Sequence, residues 1–281
     1  DQGNLAAGYQ FGYRIAILVA SSLALIIASN FSWTFAYKLM ALITGLNIII
    51  TMIISTENKN LTLKKLNHID TMIEPLKDFF ERFGLKMAAI LLLIIASYRL
   101  TDIVMGPMAN PFYIDMGYTL SEIGYIVKVV ALISTIVGVF VGGILIKKYG
   151  LYKSLLIGAF LVMITNLLFS YTAITDKNLT LLASIVASDS LAAGIVGTVN
   201  ITFLTSLVSQ KYTGFQYALL TSVMTFTGTI FKGFSGVIVE SFQSLYGFNY
   251  GWMSFYIFTS CLALPAILLI MSKKGFFVNS D

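Results

Sequence analysis

The sequence predicts an all-α fold, a polytopic membrane helical bundle, on three observations. Hydrophobic residues make up 57% of the 281 and charged residues only 11%, with a mean hydropathy of +0.85, which lies outside the soluble globular classes. Apolar runs of the ~20 residues that a bilayer crossing needs recur along the chain. The basic residues gather in the short connections between those runs, where they set orientation, so the formal charge of +5 indicates a membrane and not nucleic acid.

Eight spans follow in order. The first, Gln10–Ala28, and second, Trp33–Ile54, each carry one cation near an end, Arg14 and Lys38, where a long side chain reaches the interface. Between the second and third lies a charged connection, Ser55 to Lys86, in which Leu66, Ile69, Ile73, Leu76, Phe80 and Phe83 recur at helical spacing. This marks an amphipathic segment along the membrane surface, bent or restarted at Pro75. It serves either as a plain connector or as a regulatory surface. The third span, Leu85–Ile114, opens on "MAAILLLIIA" and then admits Arg99 and Asp102, with Pro107 and Pro111 towards its end. The fourth, Leu120–Ile146, holds Tyr125, Lys128 and the pair Gly138 and Gly142, a spacing that lets two helices approach closely. The fifth, Leu151–Ile174, follows the basic turn "KKYGLYK". The sixth, Leu179–Ser209, contains Asp189 and Asn200. The seventh, Phe215–Glu240, places Lys232 on one face with Thr225, Gly228, Thr229, Ser235 and Gly236, a stripe suited to protein or water rather than lipid. The eighth, Trp252–Met271, includes Pro265.

Lys and Arg decide the sidedness. Of the eighteen, twelve fall on one face: six in the 55–86 connection, three in "KKYGLYK", Lys211, and two in the tail. The opposite connections hold Lys177 alone. The twelve-residue face is therefore expected to be cytoplasmic, with both termini on it. Two helices precede the long connection and six follow it, and a six-helix block is half of a major facilitator transporter. This predicts the last two helices of an N-terminal half at 1–54, a cytoplasmic central loop with its amphipathic segment at 55–86, and a C-terminal six-helix half at 87–281. The expected architecture is a major facilitator fold lacking the first four of twelve helices, and the opening "DQGNLAAGYQ", without an initiator Met, reads as starting partway through something longer.

Several stretches resemble the AmpG-type muropeptide permeases of the major facilitator superfamily: "FGYRIAILVASSLAL", "EPLKDFFERFG", "YRLTDI", "GYIVKVVALISTIVGVFVGGIL", "ITDKNL", "FQYALL" and "GWMSFYIFTSCLALPAILL". "PLKDFF" and "FQYALL" are the more specific, because apolar helices resemble one another by composition alone. The resemblance implies proton-coupled import of N-acetylglucosaminyl-anhydro-N-acetylmuramyl peptides across the bacterial inner membrane, with a basic residue and an aspartate at the positions of Arg99 and Asp102. "GGILIKKYGLYK" is similar to the superfamily's cytoplasmic G-x-x-x-D-R-x-G gating motif. Gly143, Lys148 and Gly150 are in place, and Lys147 stands where the acid is expected. An ordinary tight basic turn is the alternative.

Charges at membrane depth cost ~3 kcal/mol each on insertion scales and usually face a cavity or one another. Rising ~1.5 Å per residue, Arg99, Lys128, Asp189 and Lys232 come from four spans to depths between the midplane and the periplasmic side. Arg99 and Asp102, at i and i+3, share a helical face. Either they satisfy each other, or protonation of the acid frees the guanidinium for an anionic solute. Asp189 is the second proton-coupling candidate, against a satisfied interhelical hydrogen bond, and Asn200 returns to nearly its face. The expected solute-binding residues are Arg99, Lys128, Lys232, Asn200 and Tyr125. Their three cations exceed the two aspartates by one, which favours an anionic small molecule or glycopeptide such as a muropeptide. Lysines snorkelling to the interface are the competing account.

No cofactor or metal is expected. Cys261 and His68 are the only residues of their types, so zinc sites built from Cys and His are excluded by count. G-x-x-x-x-G-K-[ST] does not occur, so the energy would come from an ion gradient or from the solute itself. "GFSG" at 233–236 resembles a rhomboid protease motif, but His68 lies in the charged loop and cannot take the serine proton, so no enzyme is expected. The expected partners are the lipid bilayer, protons, an anionic solute and a separately encoded N-terminal helical segment. The alternatives are an inactive or split-gene remnant, or a transporter of another anionic solute.

Overall fold

The computed structural model describes residues 2–19, 27–28, 31–54 and 68–278, and every regular element among them is helical. In chain order the helices are α1 (Gln2–Leu18), α2 (Trp33–Ile54), α3 (His68–Tyr98), α4 (Leu100–Asp115), α5 (Leu120–Tyr125), a π-helical segment (Ile126–Val130), α6 (Ala131–Thr172), α7 (Leu179–Leu207), α8 (Thr213–Gly233), α9 (Ser235–Tyr246), α10 (Phe248–Cys261), α11 (Leu264–Ser272) and α12 (Lys274–Val278). They divide into two compact units. Gly8–Thr71 forms one, and Asp1–Ala7 with Met72–Asp281 forms the other.

Six helical stretches among the described residues are long and apolar enough to cross a membrane. One of them, α6, has 42 residues, about 63 Å at helical rise and twice a ~30 Å hydrocarbon core. It is two spans joined at Gly150, whose φ of 76° and ψ of 170° break the helix; a side chain there would be strained. This is where the sequence places the turn between the fourth and fifth spans. The predicted first span, Gln10–Ala28, runs into residues outside those described.

The amphipathic segment and the third span meet inside α3 at Gly84, where φ is 70° and ψ is 153°. The helix passes through Pro75 instead of restarting there. In the larger unit, α6 and α7 share the most extensive interface. Glycine explains how close they come: a methyl group on Gly138 would overlap the Leu191 carbonyl, and one on Gly194 would overlap the Thr135 carbonyl.

Two hydrophobic clusters fill this unit. One gathers Leu91, Ile95 and Tyr98 of α3, Leu155 and Val162 of α6, Ala192 and Phe203 of α7, and Ala263 with Ile267 around the start of α11. The other is aromatic, with Phe112 and Tyr113 of α4, Phe169 of α6, Val186 of α7, and Trp252 and Tyr256 of α10. Its rings pack edge to face and stacked, with the Phe112 and Tyr256 centroids 4.9 Å apart and those of Phe169 and Tyr256 5.2 Å apart. Such pairs add ~0.5–1.5 kcal/mol each beyond the area they bury.

At one end of the bundle the connections are fastened by side chains, to one another and to backbone. Thr119 and Glu122 form a reciprocal capping box at the start of α5, satisfying two backbone donors that the helix leaves free. Lys177 Nζ reaches Glu122 at 2.8 Å, and Tyr118 Oη donates to the Asn178 carbonyl at 3.1 Å. Hydrogen bonding from Lys177 first, and then from the Thr119 backbone, holds the Glu122 carboxyl below the ordinary carboxylate range.

Candidate functional site: a polar layer between two apolar clusters

The two clusters do not meet directly. On each of four helical paths, polar residues occupy the interval between the last side chain of one cluster and the first of the other. Arg99, Thr101 and Asp102 lie between Tyr98 and Met105, Thr165 and Asn166 between Val162 and Phe169, Asp189 and Ser190 between Val186 and Ala192, and Thr259 and Ser260 between Tyr256 and Ala263. A polar stratum at matching height in four helices confines the charges to one depth, away from lipid.

Part of this layer is tied together. Thr165 Oγ1 donates to Asp189 Oδ1 at 3.1 Å, and Thr259 Oγ1 donates to Asn166 Oδ1 at 2.8 Å. Ser260 Oγ donates to the Met163 carbonyl at 2.9 Å. The remainder is left open. Arg99 and Asp102 approach to 3.7 Å between Nη2 and Oδ2, an ion pair too long for a hydrogen bond. Arg99 Nε, Asp102 Oδ2 and Thr101 Oγ1 are buried without a protein hydrogen-bond partner, as is Tyr256 Oη. Groups of this kind cost ~1–3 kcal/mol each unless something else meets them.

Arg99, Asp102 and Asp189 line one cavity of about 330 Å³, with Asn110, Tyr113 and Ser190 contributing further polar atoms. Arg99 also marks the end of one helix and the start of the next. Its φ of −108° and ψ of 9° separate α3 from α4, where the sequence predicts a continuous span, Leu85–Ile114. Ser97 Oγ bonds back to the carbonyls of Leu93 and Ile94 just before the break, a contact that bends helices. Pro107 and Pro111 lie within α4 and do not end it.

Of the other predicted residues, Lys128 falls in the π-helical segment Ile126–Val130, an irregularity enriched at functional sites. The side chains of Lys128 and Tyr125 are outside the described part of the structure. Lys232 is exposed near the end of α8, next to the break at Phe234, and is not part of the cavity lining. Asn200 is buried on α7 and directs its amide at Met224 Sδ, 3.4 Å away, with Oδ1 unpartnered. Eleven residues from Asp189 is about 16 Å along a helix, too far to share that cavity. Gly143 is buried in α6, Lys148 lies 5.1 Å over the Tyr149 ring, and Gly150 makes the turn.

Sequence reasoning missed Thr165, Asn166, Thr259 and Ser260. The only available signal was their adjacency within apolar runs, "MITNLL" and "IFTSCL", which ordinary packing polarity imitates. It also missed a second network at the basic end of the bundle. Gln216 is 1% exposed; its Nε2 donates to the Pro75 carbonyl at 2.8 Å and to Asp78 at 2.9 Å. Its Oε1 accepts from Arg82 at 2.9 Å and from the Ser209 backbone at 2.7 Å. "PLKDFF" and "FQYALL", noted in the sequence as separate marks of resemblance, are the two sides of this one junction.

Residues 1–232 match the family described as Major Facilitator Superfamily. The chain belongs to that superfamily. It is 33% identical over 270 residues to the putative transporter AmpG 4 of Rickettsia conorii, an alignment that covers 93% of this chain and 62% of the relative. It is 30% identical over 274 residues to the anhydromuropeptide permease of Escherichia coli, covering 96% of this chain and 53% of that protein. The chain thus spans between about half and two thirds of the length of these superfamily relatives. The resemblance to AmpG-type proteins seen in the sequence, the all-helical fold and the multi-pass membrane character are borne out. Helices interrupted at charged residues, as at Arg99 and in the π-helical segment with Lys128, are also how transporters build sites near the bilayer midplane.

Proposed function

We propose that this chain is the larger part of a secondary transporter of the bacterial inner membrane that imports anionic muropeptides together with protons, its basic face and both termini cytoplasmic. The observation that carries this is the loose ion pair of Arg99 and Asp102, facing Asp189 across one cavity, with Arg99 Nε and Asp102 Oδ2 unpartnered. A pair that only stabilised the fold would be expected to close its hydrogen bonds, because breaking up a buried charge pair is expensive. Left open, the guanidinium has donor capacity for a carboxylate supplied by a solute.

The described lining holds one guanidinium and two carboxyl groups. With both carboxyls ionised, an entering anion meets net negative charge, so a proton on one or both is the condition for Arg99 to bind it. Proton and anion then enter together, and loss of the proton to the cytoplasm restores the Arg99–Asp102 attraction and displaces the solute. A proton that enters with a monoanion moves no net charge, so the voltage adds nothing for that pair and the drive is the pH difference, ~1.4 kcal/mol or about tenfold accumulation per pH unit. Lys128 and Lys232 remain candidates for the outer approach. The name of the Escherichia coli relative supports an anhydromuropeptide as the solute.

The experiment is uptake of labelled anhydromuropeptide into vesicles with and without an inward proton gradient. Asp102→Asn and Asp189→Asn are each expected to abolish gradient-driven accumulation while retaining part of solute exchange. Unchanged accumulation in both variants would remove the aspartates from the proton path.

A further inference from the structure

Where the amphipathic part of α3 meets its span, an open cleft of about 380 Å³ lies beside Gly84. Phe83, Leu85, Met87 and Ile90 make its walls, and Lys86 and Lys273 supply two cations. We propose that this cleft binds an anionic phospholipid, its phosphate between the two ammonium groups and the start of its acyl chain against Leu85, Met87 and Ile90.

Three observations converge on that occupant. The first is level. Lys86 stands at the beginning of the apolar stretch of α3, and Lys273 directly follows α11, Leu264–Ser272. One marks the start of its span and the other the end, and because both line one cleft they stand at one level, where a bilayer presents its headgroups. The second is charge. Neither lysine is within ion-pair distance of a carboxylate among the described residues, while the nearby acids are engaged, Asp78 with Arg82 and Glu81 with Lys77. Two uncompensated ammonium groups at an interface attract an anionic headgroup over a zwitterionic one. The third is the walls. Leu85 is 77% exposed, and an apolar surface beside paired cations suits an amphiphile with a phosphate at its head rather than a soluble anion. The cleft keeps its shape because the chain is held on both sides of Gly84, by Ala88 and Leu91 buried in the core after it and by aromatic packing before it. Phe79 and Phe83 pack edge to face at 5.0 Å, and Phe83 meets Phe276 of α12 at 5.8 Å.

The binding needs no transported solute, so it can be tested on the full chain without a transport assay. Native mass spectrometry of the detergent-purified chain, titrated with phosphatidylglycerol or with phosphatidylcholine of the same acyl chains, reads the affinity for each lipid. Phosphatidylglycerol is expected to bind more tightly. Replacing both cations, Lys86→Gln with Lys273→Gln, should weaken it by roughly thirtyfold, about fivefold for each lysine. Lys86→Arg with Lys273→Arg should retain it, and Lys77→Gln, an exposed lysine outside the cleft, should leave it unchanged. Equal affinity for the two lipids in the parent would overturn the assignment. So would full phosphatidylglycerol binding by the double glutamine variant, or displacement of the lipid by soluble glycerol phosphate at equal concentration.

Discussion

Replacing Gln216 with alanine tests whether the central connection is bolted to the bundle by hydrogen bonds. The side chain is enclosed and makes four of them, two to the Pro75 carbonyl and the Ser209 backbone amide and two to Asp78 and Arg82. Truncation leaves the Ser209 N–H unmet, at ~1–3 kcal/mol when buried, while the Pro75 carbonyl keeps its partner within the α3 helix. The charged partners lose less, because Arg82 and Asp78 retain each other at 2.9 Å and their side chains are 33% and 27% exposed, where screening reduces a pair to ~0–1 kcal/mol. The expected loss is about 2 kcal/mol, within these ranges. In a chain of this size that lowers the apparent melting temperature by roughly 3–4 °C, measured on the full chain in detergent. Gln216→Met separates bonding from filling, since it keeps the volume and none of the donors or acceptors. Most of the loss should persist in it. Parent-like melting of the methionine variant would refute the view that these bonds hold the junction.

Other expected outcomes follow from single contacts. Gly138→Ala drives a methyl into the Leu191 carbonyl and should cost about 1–3 kcal/mol through forced separation of α6 and α7, read as a fall in melting temperature; Gly12→Ala, with open space around it, should not. Gly150→Ala places a side chain at a φ of 76° and should cost about 1–2 kcal/mol, again by thermal melting. The Glu122–Lys177 bridge has a sign in pH. The folded carboxyl is held below its ordinary value of 4.5, so its stabilisation is present above that value and disappears as pH falls through the depressed one. The difference in melting temperature between parent and Lys177→Met should therefore be the same at pH 7 and pH 5, and shrink in more acidic buffer. A difference that shrinks between pH 7 and pH 5 would assign the effect to another group.

Most of the architecture was legible because a bilayer leaves helices little choice: backbone groups in hydrocarbon must bond within their own segment. Apolar length therefore located the described spans, and basic turns separated them. The features that escaped were departures from helical regularity. The breaks at Gly84 and Gly150 have a local cause, glycines at positive φ, and the second lay where a turn was expected. The break at Arg99 carries no glycine or proline of its own, and Ser97 two residues earlier is too common a residue to announce it. Arg99, Asp102 and Asp189 were legible as charges in apolar runs, yet their convergence on one cavity depends on helix packing that no single span encodes. Lys232 was also a candidate in the sequence, nearer the edge of its span, and it lies outside that cavity, exposed near the end of α8.

The polar layer also bears on how such a bundle could move. Each apolar cluster is close-packed, and the aromatic one is locked by rings on α4, α6 and α10; packing of this kind shifts as a body and does not flow. Between the clusters, polar side chains from four helices meet, some hydrogen-bonded to one another and several unpaired. Exchanging one hydrogen bond for another, or for a solute's, costs far less than remaking an apolar interface. The stratum containing Arg99, Asp102 and Asp189 is therefore expected to be the plane at which side-chain contacts in this unit rearrange most easily. Converting the stratum to apolar contact should uncouple binding from movement. Asn166→Leu with Thr259→Val replaces both partners of one buried hydrogen bond of the layer, between α6 and α10, with apolar groups of similar shape. The expected outcome is a variant at least as resistant to heat, because apolar replacements of a buried polar pair are often neutral or stabilising, in which slow hydrogen exchange extends across α6 and α10. Faster exchange in those helices would mean that the layer fastens the clusters together and is not the place where they part.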